Sequence, residues 1–366
     1  MAANLGLSMS DSKHERHVKG SELRRCMLAI LQAAGADLAS SQAVTRALST
    51  ASAMGTDSHG LRLLPHYVAA LEGGRINPTP CVTYHANTAV AGRIDADNGF
   101  GHLATYEAIN HAVAMAKELG LGAVTIGNSS HFGAAGVYAL AAAEEGLMAM
   151  VFSHSDSFVL PFGGVQAFHG TNPIAFAAPV RDSQPYLFDM ATSAVPWNRV
   201  EQYRAIGRQL PEQVAADKNG GMTIEPDEVA ALLPLGGQSF GFKGMGLASV
   251  VEILSATLSG MANGSRLIPM IGDDMHTARK LGHFVVAIDP RAFLDETQYF
   301  DSIAEYLSDL RAQQSSGHTD VLAPGDREWQ CHAQRTAQGI PLDSANQQAY
   351  QALANRFDIP ELDFID

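Results

Sequence analysis

The hydrophobic period of this chain changes twice, and that change limits the folds open to it. From Ser21 apolar residues recur at helical spacing, with Leu23, Met27, Ile30, Leu31 and Ala34 on one face and Gly35 as a stop. A second helical run covers 41–53, with Val44, Leu48 and Ala51, and closes at Gly55. A third, 64–71, closes at Gly73-Gly74. After Pro80 the pattern shortens. Residues 82–95 have strand character, 101–119 read as a helix, and Ala123-Val124-Thr125-Ile126 is a short apolar strand. A helix over 134–145 and strands over 147–153, 173–178 and 186–189 continue the alternation. Helical spacing returns over 244–261, where Leu247, Val250, Val251, Leu254 and Leu258 form a stripe. One more strand, 283–289, and helices over 302–311 and 345–356 finish the chain. Strands alternating with helices mark an α/β layer structure. The expected fold class is therefore α/β (α+β): a discontinuous helical domain, 18–78 and 240–366, with an α/β domain, 79–239, inserted into it.

Charge and cysteine usage exclude several functions. The formal net charge of −14 argues against a general nucleic-acid binder, which needs a basic face for phosphates, and against a polybasic membrane surface. It leaves room for a small anionic substrate, since one buried cation holds a carboxylate locally. Cys26, Cys81 and Cys331 are widely spaced and form no CxxC pair, as expected of a reduced, cytoplasmic protein. The first residues lack a basic start followed by an apolar core, so no secretory signal is expected. No window approaches the roughly 18 apolar residues of a membrane span. HExxH is absent, and His154-x-Asp156 alone cannot fill a coordination shell, so no metal is expected. Irregular structure is expected through about His17 and over 313–319.

Two turns carry chemistry: Asp57-Ser58-His59-Gly60 and Asn128-Ser129-Ser130-His131-Phe132-Gly133. Each sets a histidine beside hydroxyl or amide groups and a glycine where a regular element breaks. Histidine gives or takes a proton near neutral pH, a hydroxyl orients that proton, and glycine lets a ligand approach the backbone. Either turn alone also reads as a helix cap. Two glycine patterns are decoys. Gly99-x-Gly101-x-x-Ala104 fits a dinucleotide fingerprint, yet Asp95 and Asp97 would crowd a pyrophosphate there. The Gly236–Lys243 stretch lacks the Lys-Ser/Thr pair of a nucleotide-triphosphate loop.

Further segments complete a pattern: Pro161-Phe162-Gly163-Gly164, Gly170-Thr171-Asn172-Pro173-Ile174-Ala175, Asp189-Met190-Ala191-Thr192-Ser193, Phe242-Lys243-Gly244, Gly282-His283-Phe284 and Ala323-Pro324-Gly325-Asp326. In this order, with both histidine turns, the chain resembles the type-2 malate/L-lactate dehydrogenase family, which includes ureidoglycolate and sulfolactate dehydrogenases, diketogulonate reductase and Δ1-piperideine-2-carboxylate reductase. The resemblance implies a homodimer that binds NAD or NADP on a fold other than the Rossmann type and acts on a small carboxylate such as a 2-oxo or 2-hydroxy acid. It implies His59 as acid/base, with Ser58 and Asp189 as relay partners and His131 as a second catalytic candidate. Thr171 would contact substrate. His131, Phe132, Gly133, Ser155, Asp189, Met190, Ala191, Thr192, Lys243, Gly325 and Asp326 would border the cofactor.

The sequence departs from the family in three places. The arginine usual four residues beyond the histidine is Leu63 here, with Arg62 one position earlier as the expected carboxylate contact. Val195-Pro196-Trp197-Asn198-Arg199 replaces a Gly-Lys pair, and His154 replaces an asparagine. The alternatives are a cyclic imino acid reductase, a hydrolase, which would lack its G-x-S-x-G elbow, and a nonenzymatic metabolite-binding protein.

Overall fold

The computed structural model describes residues 15–317 and 320–365. Most of the stretch expected to be irregular at the N-terminus, and positions 318 and 319 of the 313–319 loop, lie outside the described residues. In chain order the elements are β1 (Arg16–Val18), α1 (Gly20–Ala33), α2 (Leu38–Ala53), α3 (Leu64–Glu72), β2 (Thr83–Ala86), β3 (Ala91–Asp95), α4 (Gly101–Leu119) and β4 (Leu121–Ser129). Then come α5 (Gly136–Ala143), β5 (Met148–Ser153), β6 (Ile174–Ala178), β7 (Tyr186–Met190), α6 (Trp197–Ala205), β8 (Ala215–Ala216), β9 (Ala231–Leu232) and α7 (Gly237–Glu252). The chain closes with β10 (Leu281–Ile288), α8 (Glu296–Arg311), α9 (Asp326–Gln338), β11 (Ile340–Leu342), α10 (Ser344–Arg356) and β12 (Phe364–Ile365).

A seven-stranded sheet in the order β2-β3-β4-β10-β5-β6-β7 forms the centre. Only β3 and β4 run parallel; the other neighbours are antiparallel. A dinucleotide fold of the Rossmann type needs a mostly parallel, doubly wound sheet, and this one is not. The decoy glycines agree with that topology. A Cβ on Gly101 would lie 2.2 Å from the Ser130 carbonyl oxygen, so the turn is packed against protein with no space for phosphate.

Two expectations need correction. The first is the domain boundary at 240: β10 comes from the C-terminal part of the chain yet lies between β4 and β5 in the middle of the sheet. Its apolar run Leu281-Gly282-His283-Phe284-Val285-Val286-Ala287-Ile288 is what a strand buried between neighbours requires. The second is the irregular tail. Arg16–Val18 pairs antiparallel with both β11 and β12, which buries Val18.

α7 and its continuation, a π-turn over Ile253–Thr257, reverse the usual arrangement of an amphipathic helix. The buried side holds Gly241, Gly244, Ala248 and Val251, small residues that let the helix lie close to the chain at Leu235. The apolar stripe faces outward: Phe240, Leu247, Val250, Ile253 and Leu258 are 38–58% exposed.

Candidate active site

The His59 turn is built by close backbone packing. After α2 the chain folds back on itself through a tight turn at Asp57–His59. A Cβ on Gly60 would lie 2.3 Å from Ser52 Oγ and 3.1 Å from Ser52 N, so glycine is required there. Leu61 N donates to Ser52 Oγ at 2.8 Å. The C-terminal helices clamp the turn from outside. Arg335 of α9 grips the Asp57 carboxylate with both terminal nitrogens, one bond measuring 2.9 Å, and Tyr350 of α10 donates its hydroxyl to the Leu61 carbonyl at 2.9 Å. Held this way, His59 has Ser58 Oγ 2.8 Å from its Nδ1.

His131 enters from the loop after β4. Its ring centroid lies 6.0 Å from that of His59, with the planes 27° apart. Its Nδ1 receives the Gly133 N–H at 3.3 Å and lies 2.7 Å from the hydroxyl of buried Tyr67 in α3. A backbone N–H only donates, so Nδ1 is the acceptor and neutral His131 carries its proton on Nε2. Gly133, at φ +74°, passes His59 closely: a Cβ there would be 3.5 Å from the His59 carbonyl oxygen. Phe132 is buried and stacks on His283 at 4.5 Å, so it works as packing under the loop.

A second group of the expected site residues lies on the turns after β5 and before β6. Thr171 N donates to Ser155 Oγ at 3.1 Å. Asn172 is buried, receives Ser155 N at 3.1 Å, and donates to Glu252 of α7 at 2.8 Å. Thr192 N and Oγ1 both donate to the Thr171 carbonyl, at 2.8 and 3.1 Å. Ser155, Thr171 and Thr192 thus form one braced unit. Met190 pairs with Ile174 at the end of β7, and Ala191 links it to Thr192.

Three of the expected site positions are held by other protein groups. Asp189 does not meet His59; its carboxylate accepts the Gly136 N–H at the start of α5, at 2.7 Å. Arg62 turns outward and pairs with Asp343 at 2.9 Å, on the surface. Asp326 pairs with Arg311 at 2.7 Å and caps its own turn through Ala323 N, while Gly325 packs against Leu187 of β7.

Burial governs the electrostatics. It lowers the His59 imidazole from its ordinary range. His131 falls well below that range, through burial first and then through repulsion from His59, Arg279, His102 and His66. Burial also pushes the Asp189 carboxyl up to about 6, against the lowering effect of Gly136 N–H. His59 and Asp189 both keep solvent-accessible surface although protein surrounds them, the condition of residues on a cleft wall.

The donors needed by an anionic cofactor are present at α7. Its first turn has no side-chain cap, and Gly236 and Gly237 lead into it at φ +97° and +59°. Lys243 is exposed, lies 5.3 Å from the Phe240 ring, and has no carboxylate partner among the described residues. Unclaimed backbone N–H groups and a free ammonium fit the phosphates of a dinucleotide. Tyr67, His102 and Arg279 complete the surroundings of the histidines and were not read from the sequence. Tyr67 carries a signal, since it follows the His59 turn on the buried face of α3; His102 and Arg279 carry none.

The signature of the malate/L-lactate dehydrogenase family matches residues 18–350. A malate dehydrogenase of Pyrococcus horikoshii is 35% identical over 79% of this chain and 81% of its own length. A (2R)-3-sulfolactate dehydrogenase (NADP(+)) of Chromohalobacter salexigens is 35% identical over 88% and 92%, and a ureidoglycolate dehydrogenase (NAD(+)) of Escherichia coli 32% over 82% and 84%. The crystal structure of malate dehydrogenase from Entamoeba histolytica superposes with a TM-score of 0.89 at 29% identity, covering 94% of this chain and 99% of that one.

Proposed function

The chain belongs to the malate/L-lactate dehydrogenase family and is an NAD(P)-dependent oxidoreductase, and we propose that it interconverts a small 2-hydroxy acid and its 2-oxo acid with His59 as the acid–base group. One contrast carries this reading. The Gly133 N–H holds His131 in a single tautomer, whereas Ser58 Oγ at 2.8 Å leaves His59 free to change. A hydroxyl donates to a bare Nδ1 and accepts from a protonated one, so Nε2 of His59 can carry a proton or a lone pair.

The nicotinamide, when bound, supplies or accepts the hydride. The chain supplies the rest. In oxidation, neutral His59 takes the hydroxyl proton through Nε2 while Ser58 accepts from Nδ1–H. In reduction, protonated His59 delivers that proton to the carbonyl oxygen. His131 offers a fixed Nε2–H that polarises the same oxygen. Thr171, braced by Ser155 and Thr192, lines the substrate side. Lys243 and the first turn of α7 hold the cofactor's anionic part. Met190, Ala191, Asp189, the His131-Phe132-Gly133 loop and Gly325-Asp326 border the remainder. Ser58 is the relay partner of His59, and Asp189 acts on the cleft from its seat on Gly136.

The outward stripe of α7 supports a homodimer, since so long an apolar face is unfavourable in water. Among the described residues no helix is long and apolar enough to cross a membrane, and the cysteines are unpaired, which supports a cytoplasmic site of action.

The test is His59→Asn and His131→Asn, assayed with NADH and NADPH against a panel of 2-oxo acids and cyclic imines. His59→Asn should lower turnover by roughly 10²–10⁴-fold with cofactor binding intact, and His131→Asn should act mainly on substrate or cofactor binding. Retained turnover in the first variant with abolition in the second would reverse the two roles.

A further inference from the structure

Behind the two histidines lie two buried guanidinium groups. Arg75 is 2% exposed, Arg279 5% and Asp156 6%, and of the two arginines only Arg279 bonds the buried carboxylate. The asymmetry between the arginines is specific. Arg75 spends its terminal nitrogens on the carbonyls of Pro269, Met270 and Asp274. Arg279 gives Nε to the Ile268 carbonyl at 2.9 Å and Nη2 to Asp156. Its Nη1 donates to no group among the described residues and is not one of the sealed, unpartnered atoms. A guanidinium thus keeps one free corner in a nearly dry place.

The contacts around Arg279 join both groups of site residues. On one side, the segment carrying it packs on the end of α3: His276 Nδ1 lies 2.5 Å from the Gly73 carbonyl oxygen. The charge of Arg279 also acts on Tyr67 and His66 of α3 and on His131. On the other side, Asp156 follows Ser155, which holds Thr171, and Asp156 also receives Met270 N at 3.0 Å. Arg62, the cation expected near His59, is on the surface with Asp343.

We propose that Arg279 binds the substrate carboxylate, with Asp156 holding its guanidinium so that Nη1 faces the cleft; this rests on the hydroxy-acid reading above. A fixed, charged donor in a desolvated setting is what selects a carboxylate over a neutral carbonyl compound.

The experiment compares Arg279→Gln, Arg279→Lys and the double variant Arg279→Gln/Asp156→Asn, the last avoiding a lone buried carboxylate. The substrates are the 2-oxo acid best used by the wild type and its methyl ester. A turnover-free readout is the rise of the thermal midpoint with added oxalate. For Arg279→Gln and the double variant, KM for the acid should rise on the order of 100-fold, while KM for the ester changes less than about threefold. Arg279→Lys should recover part of the loss, and the oxalate shift should vanish without the cation. An unchanged KM for the acid, or acid and ester failing alike, overturns the assignment. Should the wild type use no 2-oxo acid while oxalate still stabilises it through Arg279, the hydroxy-acid reading falls and the anion site stands.

Discussion

Buried neutral histidines should make this protein unstable in mild acid. His102 and His283 are both fully buried. Both ring nitrogens of His102 lack a partner, and burial drives each residue from the ordinary 6.5 to about 3. A histidine with a depressed folded-state pKa is neutral in the native protein and becomes protonated once unfolded. The unfolded chain therefore binds more protons below pH 6.5, and stability is lost as pH falls from 6.5 towards 3. At pH 5 each contributes about 1.5 units × 1.36, or roughly 2 kcal/mol, of destabilisation. The pair amounts to about 4 kcal/mol, a large share of the roughly 5–15 kcal/mol typical of a folded domain. His59 and His131 act in the same direction. The assay is the urea midpoint at pH 7.5 and at pH 5 at constant ionic strength. His102→Phe isolates the mechanism: the ring already packs edge-on against Tyr67 at 5.0 Å, and no hydrogen bond is lost. This variant should recover about 2 kcal/mol at pH 5 relative to wild type. A midpoint that does not move between the two pH values, or a variant that falls as steeply as wild type, would refute the reasoning.

Other outcomes follow from named contacts. Tyr67→Phe removes the hydroxyl 2.7 Å from His131 Nδ1 and should lower kcat/KM about tenfold with a stability loss near 1 kcal/mol; steady-state kinetics and denaturant melts check both. Lys243→Met should weaken NAD(P)H binding, followed by nucleotide fluorescence, while leaving the fold unchanged; unaltered affinity would remove Lys243 from the cofactor site. Sedimentation at micromolar concentration should give twice the chain mass, and Val250→Asp on the outward face of α7 should shift it to the monomer. Because burial lowers His59, the reduction rate should fall as pH rises through its depressed pKa, and His59→Asn should erase that limb of the profile.

Much of the fold was legible because periodicity reports burial wherever one face is covered. The stripe of α1, Leu23, Met27, Ile30 and Leu31, is buried as its spacing requires, and α4 runs over the span expected. The stripe of α7 shows the limit of that logic. Spacing identifies an apolar face without saying what covers it, and here glycines and alanine pack inward while Leu247 and Val250 look out. β10 was read as a strand, but its place between β4 and β5 depends on a long-range pairing that no local pattern encodes. α6 and α9 were missed because both are mostly polar, with only Val200 buried in α6 and no residue buried in α9.

The site was legible where a glycine or a hydroxyl stands beside a histidine, since the turn itself imposes that neighbour. Ser58 and His59 meet as their adjacency allows, and Gly60 is there because Ser52 leaves no room for a side chain. Contacts between distant segments were not legible. Asp189 bonds Gly136 because α5 begins beside β7, a fact of topology rather than spacing. His154-x-Asp156, too small a set for a metal shell, anchors two segments of the C-terminal half. His154 Nε2 receives Gly282 N at 2.8 Å at the start of β10, and Asp156 holds Arg279. Arg62 and Arg279 make the same point from opposite ends. One is three residues from His59 and faces Asp343; the other lies in a stretch without period and is held by Asp156 and the Ile268 carbonyl, partners distant in sequence.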